Sequence, residues 1–242
     1  MDKEQLRIVK TVLAFTEMNF GDADTATLLK PPLLLVGPPG TGKTETLLQT
    51  VAFLAHKNAE LHEMARREHY PLDTLPPQRI LLATCTQSAA DHCVEHVLDS
   101  LVSALDTVML RVIDPTKSSA LLPHLHSNVL KYCMLNERQD AFRRPTQKEI
   151  LDANIVVATF EDAISVLLPE SALFGQFTHM FLDQADMVLE ATAVGPIALA
   201  DSKTVVLLAG DPNTYPSEIF YKFLFAIDLI CSTCSYKFLY VN

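Results

Sequence analysis

The sequence predicts an α/β fold: a mostly parallel β-sheet with helices on both faces. Short apolar runs alternate along the chain with segments of helical periodicity, which is the pattern of repeated strand-helix-strand units. In addition, a glycine-rich turn joins the first apolar run to a helical segment. The predicted strands are Leu33–Val36, Ile80–Thr84, 108–113, Ile155–Thr159, 179–183 and 204–209.

Composition places the chain among intracellular globular proteins. Its 242 residues, 49% of them hydrophobic, suit one sizeable domain that needs no disulfides. Five scattered cysteines favour a reducing compartment. The start has no signal-peptide pattern, and no apolar stretch is long enough and free enough of charge to span a membrane. We therefore expect a cytoplasmic monomer, with the nucleus as the alternative location, that does not bind membranes.

The net charge of -10 gives no broad attraction to nucleic acid. Binding of RNA or DNA would need a local groove.

The first helix is predicted over residues 5–15, where apolar side chains recur at helical spacing. The glycine-rich turn follows the first strand directly, and an apolar helical pattern (Leu47, Leu48, Val51, Leu54) follows the turn. This order is the context of a phosphate-binding loop, because backbone N–H groups and a helix N-terminus then converge on an anion. The loop residues are Gly37, Pro38, Pro39, Gly40, Thr41, Gly42, Lys43 and Thr44.

Two side chains of this loop have expected roles. Lys43 would reach the β- and γ-phosphates of a nucleoside triphosphate, and the Thr44 hydroxyl would coordinate Mg²⁺. Residues 56–78, which are rich in charge and end in prolines, are expected to be a solvated surface excursion.

Strand Ile80–Thr84 leads into Thr86, Gln87, Ser88 and Ala89 and then a helix, for which we predict Ser88 as the N-cap. Hydroxyls and N–H groups at such a strand end can contact a phosphate backbone. The alternative is that these hydroxyls only cap the helix, and the strand-to-helix pattern taken alone favours this alternative. Within this helix His92 and His96 have a spacing that can hold a metal, although solvated histidines fit better without a further ligand.

Residues 114–150 are irregular and charged, with helix-like patches such as 121–135, and predict a small helical insertion. Two later strands are followed by acids, Asp183 and Asp211. In parallel sheets the carboxyl ends of the strands share the edge that binds ligands. Phosphate-loop proteins place at this edge a carboxylate that holds Mg²⁺ through water.

These segments together resemble the superfamily 1B RNA helicases, with the helicase-with-zinc-finger group nearest and the Armitage and Mov-type silencing helicases next. The resemblance covers about residues 2–211. Its stations, in the family's order of a Q motif and motifs I, Ia, Ic, II and III, are Gln5, 37–44, 84–91, Ile155–Thr159, 183–185 and 209–211.

The resemblance implies a RecA-like lobe that binds ATP and Mg²⁺. Adenine would be read partly by Gln5, and the metal would lie near Thr44 and Asp183. Single-stranded RNA, or DNA, would pass along 86–89 and Thr159, which we call the nucleic-acid edge. Residues 1–215 would form the lobe with its insertion at 114–150, and proteins of RNA silencing or decay would be its partners.

Two positions depart from the family. Gln184 stands where the family has the glutamate that polarises the attacking water, and a neutral amide cannot accept the water's proton. Gln orients the water in Ras-type GTPases, so this change weakens hydrolysis in our prediction without excluding it. Thr214 stands where the family has the glutamine that couples nucleotide state to nucleic-acid grip.

Residues 216–242 form a divergent, apolar tail containing Cys231 and Cys234, a pair that is weak evidence for zinc. The family's second lobe is not recognisable in the sequence. The leading hypothesis is an ATP-binding, helicase-like lobe with weakened hydrolysis and no unwinding of its own. The alternatives are the first lobe of an active helicase whose remainder lies outside this chain, a non-enzymatic scaffold, and, less well supported, a small-molecule kinase.

Overall fold

The computed structural model describes residues 3–17, 32–69, 78–95 and 107–211, and the backbone of 237–240. Seven strands form one sheet in the order β3-β4-β2-β5-β6-β1-β7, and every paired neighbour is parallel. The strands are β1 (Leu33–Val36), β2 (Ile80–Thr84), β3 (Met109–Arg111), β4 (Ile155–Thr159), β5 (His179–Leu182), β6 (Val205–Gly210) and β7 (Lys237–Tyr240). The parallel sheet confirms the predicted fold class.

The helices lie between the strands, as the alternating pattern predicts. They are α1 (Lys3–Glu17), α2 (Lys43–Arg67), α3 (Gln87–Cys93), α4 (Ser118–Leu121), α5 (Ser127–Leu130), α6 (Gln147–Asp152), α7 (Phe160–Asp162, continued by a π-turn over Ala163–Leu167) and α8 (Glu190–Ile197). Short 3₁₀ turns at Pro115–Lys117, Leu122–His124, Ser171–Leu173 and Ala185–Met187 complete the connections.

Two hydrophobic cores, one on each face, sandwich the sheet. Alternate residues of each strand point to opposite faces, so Leu33 and Leu35 join one core and Leu34 joins the other. The first core is covered by α1, α2 and α3, and the second by α6, α7 and α8. Strands buried on both faces explain why the predicted strands read as continuous apolar runs.

The sequence predicts a solvated surface excursion at 56–78; the first part, 56–67, is solvent-facing but continues α2 as a regular helix to Arg67. Its residues beyond Ala55 are mostly exposed, with only Ala65 buried, so periodic burial does not signal a helix there. The stretch nevertheless contains no Gly or Pro and is rich in Ala, Glu, Lys and Arg, which are strong helix formers. Residues 70–77 lie outside the described residues.

The prediction of Ser88 as the N-cap of α3 is wrong. Thr86 is the cap, since its side chain accepts a hydrogen bond of 3.1 Å from the Ala89 N–H. Thr86 has the extended backbone that a cap residue needs, and the helix begins at Gln87.

Within 114–150 the chain forms short helical turns, not one helix over 121–135. Two isolated bridges tie it down, Arg111 to Cys133 and Leu135 to Phe142. A capping box of Thr146 and Glu149 starts α6. Whether this segment acts as an insertion in a lobe of residues 1–215 stays a prediction.

Several predictions fall outside the described residues, namely those on His96, Thr214, Cys231 and Cys234. Among the helices that the structure describes, none combines the length and apolar character needed to cross a membrane.

Candidate functional site

The glycine-rich loop is shaped by two glycines in the left-handed backbone region. Gly40 has φ of 83° and Gly42 has φ of 81°, conformations that residues with a Cβ rarely adopt. Gly42 is the N-cap residue of α2, so the loop opens directly onto a helix N-terminus. The Lys43 ammonium lies over the loop and donates to Gly37 O at 2.6 Å and to Pro38 O at 2.9 Å. The loop thus holds a cation and a helix N-terminus at one place, as an anion site requires.

Gln5 of α1 reaches this loop from another element. Its Nε2 donates to Thr41 O at 3.4 Å. A Cβ on Gly42 would come within 2.8 Å of that same nitrogen, so the absence of a side chain at Gly42 allows Gln5 to approach. The structure therefore places Gln5 against the loop, and its role in reading adenine stays a prediction.

Thr44 and Asp183 bring two oxygen donors together at the start of α2 and the end of β5. Thr44 Oγ1 donates to Asp183 Oδ2 at 2.6 Å. Burial raises the pKa of the Asp183 carboxyl, while the hydrogen bond from Thr44 and the nearby Lys43 charge oppose that rise. A hydroxyl and a carboxylate are the hard ligands that Mg²⁺ prefers, so the donor set fits that metal. Across the described residues, this site included, no group of three or more acidic, histidine or cysteine side chains could hold a metal ion.

Gln184 adopts an unusual backbone conformation beside these residues. Its φ of 57° and ψ of 38° lie in the left-handed region, where a non-glycine residue is uncommon. Its side-chain oxygen accepts a hydrogen bond of 2.7 Å from the Cys85 thiol. Cys85 follows β2, and burial together with the Asp183 charge raises the pKa of its thiol. The neutral amide is thus held between two strand ends.

Asp211, at the end of β6, is buried beside a carboxylate that the sequence analysis did not single out. The Asp211 backbone N–H donates a hydrogen bond to the Asp186 carboxylate. The same carboxylate lies against Gly210, and a Cβ on Gly210 would come within 2.7 Å of Asp186 Oδ1. Burial raises the pKa of Asp186, while that backbone bond and the Lys43 charge oppose the rise. Asp186 was a detectable candidate, because it stands three residues after Asp183 at the same sheet edge.

The nucleic-acid edge divides into exposed and inward-facing residues. Thr86 and Ser88 are exposed, and Ala89 is half-buried. A cavity of about 330 Å³ adjoins Thr86 and is lined also by Lys117 and Thr159, among others. This part of the edge is open to a ligand.

Gln87 and Thr159 instead direct their polar atoms into the protein. Gln87 Nε2 donates to Asp162 Oδ2 at 2.6 Å, and its Oε1 accepts from Arg111 Nη2 at 2.6 Å. The Thr159 hydroxyl donates to Asp162 Oδ2 at 2.8 Å and caps α7 by accepting from the Asp162 N–H. Their predicted contacts with nucleic acid remain untested.

Sequence reasoning missed Asp162 and Arg111, whose side chains are fully buried. Asp162 had a readable signal: Thr159 followed by an acid three residues later is the start of a capping box. Arg111 had none, because a lone arginine at the end of a short strand is common.

Comparisons with known proteins agree with this architecture. Residues 1–143 match the AAA_11 family, described as an AAA domain. The chain is 35% identical over 192 residues to the 3'-5' exoribonuclease HELZ2 of Homo sapiens, covering 78% of this chain and 6% of that protein. It is 32% identical over 181 residues to a helicase with zinc finger domain of Mus musculus, covering 75% and 8%. It is 24% identical over 203 residues to the RNA helicase armi of Drosophila melanogaster, covering 78% and 15%.

Two solved structures show the same fold. A hypothetical ATP-dependent RNA helicase from Sulfolobus tokodaii aligns with a TM-score of 0.51 at 16% identity, over 99% of this chain and 57% of that one. Mss116p, solved with single-stranded RNA and AMP-PNP, aligns with a TM-score of 0.51 at 14% identity, over 100% and 43%.

The chain spans only a small part of the curated relatives it matches, whereas the family model covers more than half of the chain. The parallel sheet agrees with the fold of these solved structures. The chain therefore belongs to the AAA_11 family, and proteins named as helicases are among its relatives.

Proposed function

We propose that these 242 residues form an RNA-directed helicase lobe that binds ATP with Mg²⁺, hydrolyses it slowly and does not unwind nucleic acid by itself. The observation that carries the proposal is the combination of a fully formed phosphate loop with Gln184 at the position of the family's general base. Lys43, Thr44 and Asp183 support binding of the triphosphate and its metal. The loop backbone from Gly37 to Gly42, with Gln5 and Asp211 beside it, would complete the nucleotide site.

The Gln184 side chain supports slow hydrolysis on chemical grounds. Its amide oxygen can orient a water but cannot take up a proton, and loss of a general base costs about 10²- to 10⁴-fold in rate. The Cys85 thiol donates a hydrogen bond to that oxygen at 2.7 Å, so one of the two lone pairs that could orient a water is already engaged. Binding does not depend on this residue, so binding and hydrolysis separate.

The partner that we propose is single-stranded RNA, with DNA as the alternative, lying along Thr86, Ser88 and Ala89. The exposed hydroxyls of Thr86 and Ser88 suit phosphate contacts, which give affinity without sequence preference. Proteins of RNA silencing or decay are proposed as partners on the strength of the resemblance alone.

The test compares binding with turnover in the same preparation. We expect a fluorescent ATP analogue to bind in a Mg²⁺-dependent manner and Lys43→Ala to abolish that binding. We expect turnover close to background in the unmodified protein and at least about 10²-fold faster in Gln184→Glu, because the carboxylate restores a proton acceptor. Rapid RNA-stimulated hydrolysis by the unmodified protein would contradict the weakened-enzyme proposal.

A second candidate is the first lobe of an active ATP-dependent RNA helicase. It is favoured by the small share, 6 to 15%, that the chain spans of its curated relatives. If a longer product carrying a second lobe exists, RNA should stimulate its ATP hydrolysis. That hydrolysis should be rapid even though glutamine stands at position 184. Absence of stimulation in that longer product would reject this candidate.

A further inference from the structure

One buried carboxylate connects three separate segments behind the nucleic-acid edge. The Asp162 side chain is fully buried. It accepts hydrogen bonds from Gln87 after β2, from Thr159 at the end of β4 and from residues 114 and 117. A buried carboxylate is stable only when its oxygens are matched by donors, so each of these contacts has structural weight.

The Oδ2 oxygen joins the two strand ends of the edge. Gln87 Nε2 lies 2.6 Å from it and Thr159 Oγ1 lies 2.8 Å from it. Thr159 ends β4, and Gln87 begins α3, which follows the neighbouring strand β2; β2 and β4 pair in register up to Thr84 and Thr159. A single acceptor atom therefore sets the distance between the two halves of the edge.

The Oδ1 oxygen joins this edge to the start of the 114–150 segment. Lys117 Nζ donates to it at 2.9 Å and the Asp114 backbone N–H at 3.2 Å. Asp114 in turn caps the 3₁₀ turn Pro115–Lys117 by accepting from the Thr116 N–H. The first turn of the segment is thus held to the same carboxylate as the strand ends.

Arg111 closes the arrangement from the opposite side. Its Nη2 donates to Gln87 Oε1 at 2.6 Å and its Nε donates to Asp91 Oδ1 at 3.0 Å. Both polar atoms of the Gln87 amide are consequently engaged, and the start of α3 cannot move without breaking charge-assisted bonds.

We propose that Asp162 is a positioning residue for nucleic-acid binding. It fixes 86–89, Thr159 and the first turn of the 114–150 segment as one rigid unit. This inference rests on the proposed function, because it concerns how the RNA site keeps its shape. Asp162 does not touch the nucleic acid in this scheme; it holds Gln87, Thr159 and the first turn of the 114–150 segment in place, while the uncharged residues Thr86, Ser88 and Ala89 make the contacts.

The test uses Asp162→Asn, which keeps the size of the side chain but removes its charge and one of its acceptor oxygens. Binding of a fluorescein-labelled oligouridine is measured by anisotropy, and binding of a fluorescent ATP analogue is measured in parallel. We expect RNA affinity to fall about tenfold or more, as when a charge-assisted hydrogen bond is lost. We expect nucleotide affinity to change less than about twofold, within ordinary surface effects, since Lys43, Thr44 and Asp183 keep their contacts.

The salt dependence of RNA binding separates positioning from an effect on the charge of Lys117, which pairs with Asp162. Loss of one phosphate contact by a cation lowers the slope of log affinity against log salt by about 0.7 for a single strand. We expect Asp162→Asn to leave that slope unchanged. A changed slope, or unchanged RNA affinity, would overturn the positioning role.

Glu161→Gln is the matched control, because Glu161 also contacts Lys117, at 3.2 Å, but its side chain is 74% exposed. It should leave both affinities unchanged. If Asp162→Asn does not fold, Lys117→Met provides a second measurement by hydrogen exchange. Coupling through Asp162 requires that amide protection fall at 87–91 as well as at 114–117, and unchanged protection at 87–91 would refute it.

The outcomes also separate this inference from the proposed function. Unmodified protein that binds no oligouridine refutes the proposed function and this inference with it. Unmodified protein that binds, together with an Asp162→Asn variant that binds equally well, refutes the positioning role alone.

Discussion

The Thr44 hydroxyl donates to the Asp183 carboxylate across 2.6 Å, joining the first turn of α2 to the end of β5. The two residues are 139 positions apart in sequence, and the parallel sheet brings them together because β2 pairs with β5 and β6 pairs with both β5 and β1. This contact locates the proposed metal site.

Thr44→Val should remove the Mg²⁺ dependence of nucleotide binding while the protein stays folded. Valine has nearly the shape of threonine but offers no oxygen to the metal and no donor to Asp183. The measurement is titration of a fluorescent ATP analogue with and without Mg²⁺. Thr11→Val is the control, since the Thr11 hydroxyl donates only to Arg7 O within α1. Equal Mg²⁺ dependence in both variants would contradict the assignment of Thr44.

Asp183→Asn should stabilise the protein when Mg²⁺ and nucleotide are absent. Burial raises the pKa of Asp183 above its ordinary 3.8, so the ionised carboxylate opposes folding. This loss of folding free energy begins as the pH rises through the pKa of Asp183 in the unfolded protein, and it is complete above the pKa in the folded protein. We expect Tm at pH 7 to rise by about 2–4 °C, the shift for about 1 kcal/mol in a chain of this size.

The same variant provides its own pH control. Below the unfolded pKa both states hold the proton, so the gain in Tm over the unmodified protein should vanish in strong acid. A gain that does not depend on pH would show that burial of charge is not its cause. In the presence of Mg²⁺ and nucleotide the variant should lose the extra stability that these ligands confer on the unmodified protein.

Gly42→Ala should weaken nucleotide binding more than Gly40→Ala. Both glycines have positive φ, so both substitutions strain the loop, by about 1–2 kcal/mol. A Cβ at Gly40 meets nothing within 4 Å, whereas one at Gly42 comes within 2.8 Å of Gln5 Nε2. The difference between the two affinities therefore measures displacement of Gln5. Adding Gln5→Ala to Gly42→Ala should cost nothing further, and an additive loss would disprove this coupling.

Arg111→Met should destabilise the protein by about 3–5 kcal/mol, because it leaves Asp91 and Gln87 without their buried partner. The Arg111 side chain is fully buried, and Asp91 is 21% exposed. Urea unfolding measures the effect. Arg67→Met is the matched control: Arg67 and Glu63 form an exposed pair in α2, worth at most about 1 kcal/mol. Similar losses in both variants would contradict the buried network.

The sheet and the glycine-rich loop could be predicted because their signals are local. Strands buried on both faces appear as apolar runs, and the loop's glycines and lysine stand next to one another in the sequence. The nucleic-acid edge was less predictable. Thr86 and Ser88 both carry a hydroxyl that can cap a helix N-terminus. The helix begins at Gln87, so Thr86 is the cap.

The polar network behind the edge could not be predicted as a whole. Asp162, Gln87 and Arg111 come from three different segments, and only the pairing of β3, β4 and β2 brings them together. Likewise, the outer half of α2 follows from helix propensity and not from periodic burial, so a search for apolar periodicity overlooks it.

The length of α2 has a consequence for how the protein unfolds locally. The helix is anchored over Thr46 to Ala55, where its buried side chains pack on the sheet, and only Ala65 is buried beyond that point. Its distal turns can therefore unwind toward Ala55 without exposing much core, while the turns next to the glycine-rich loop open only when the core itself is lost. One continuous helix thus carries a gradient of local stability, firmest at the end that meets the loop and weakest at the end that meets solvent.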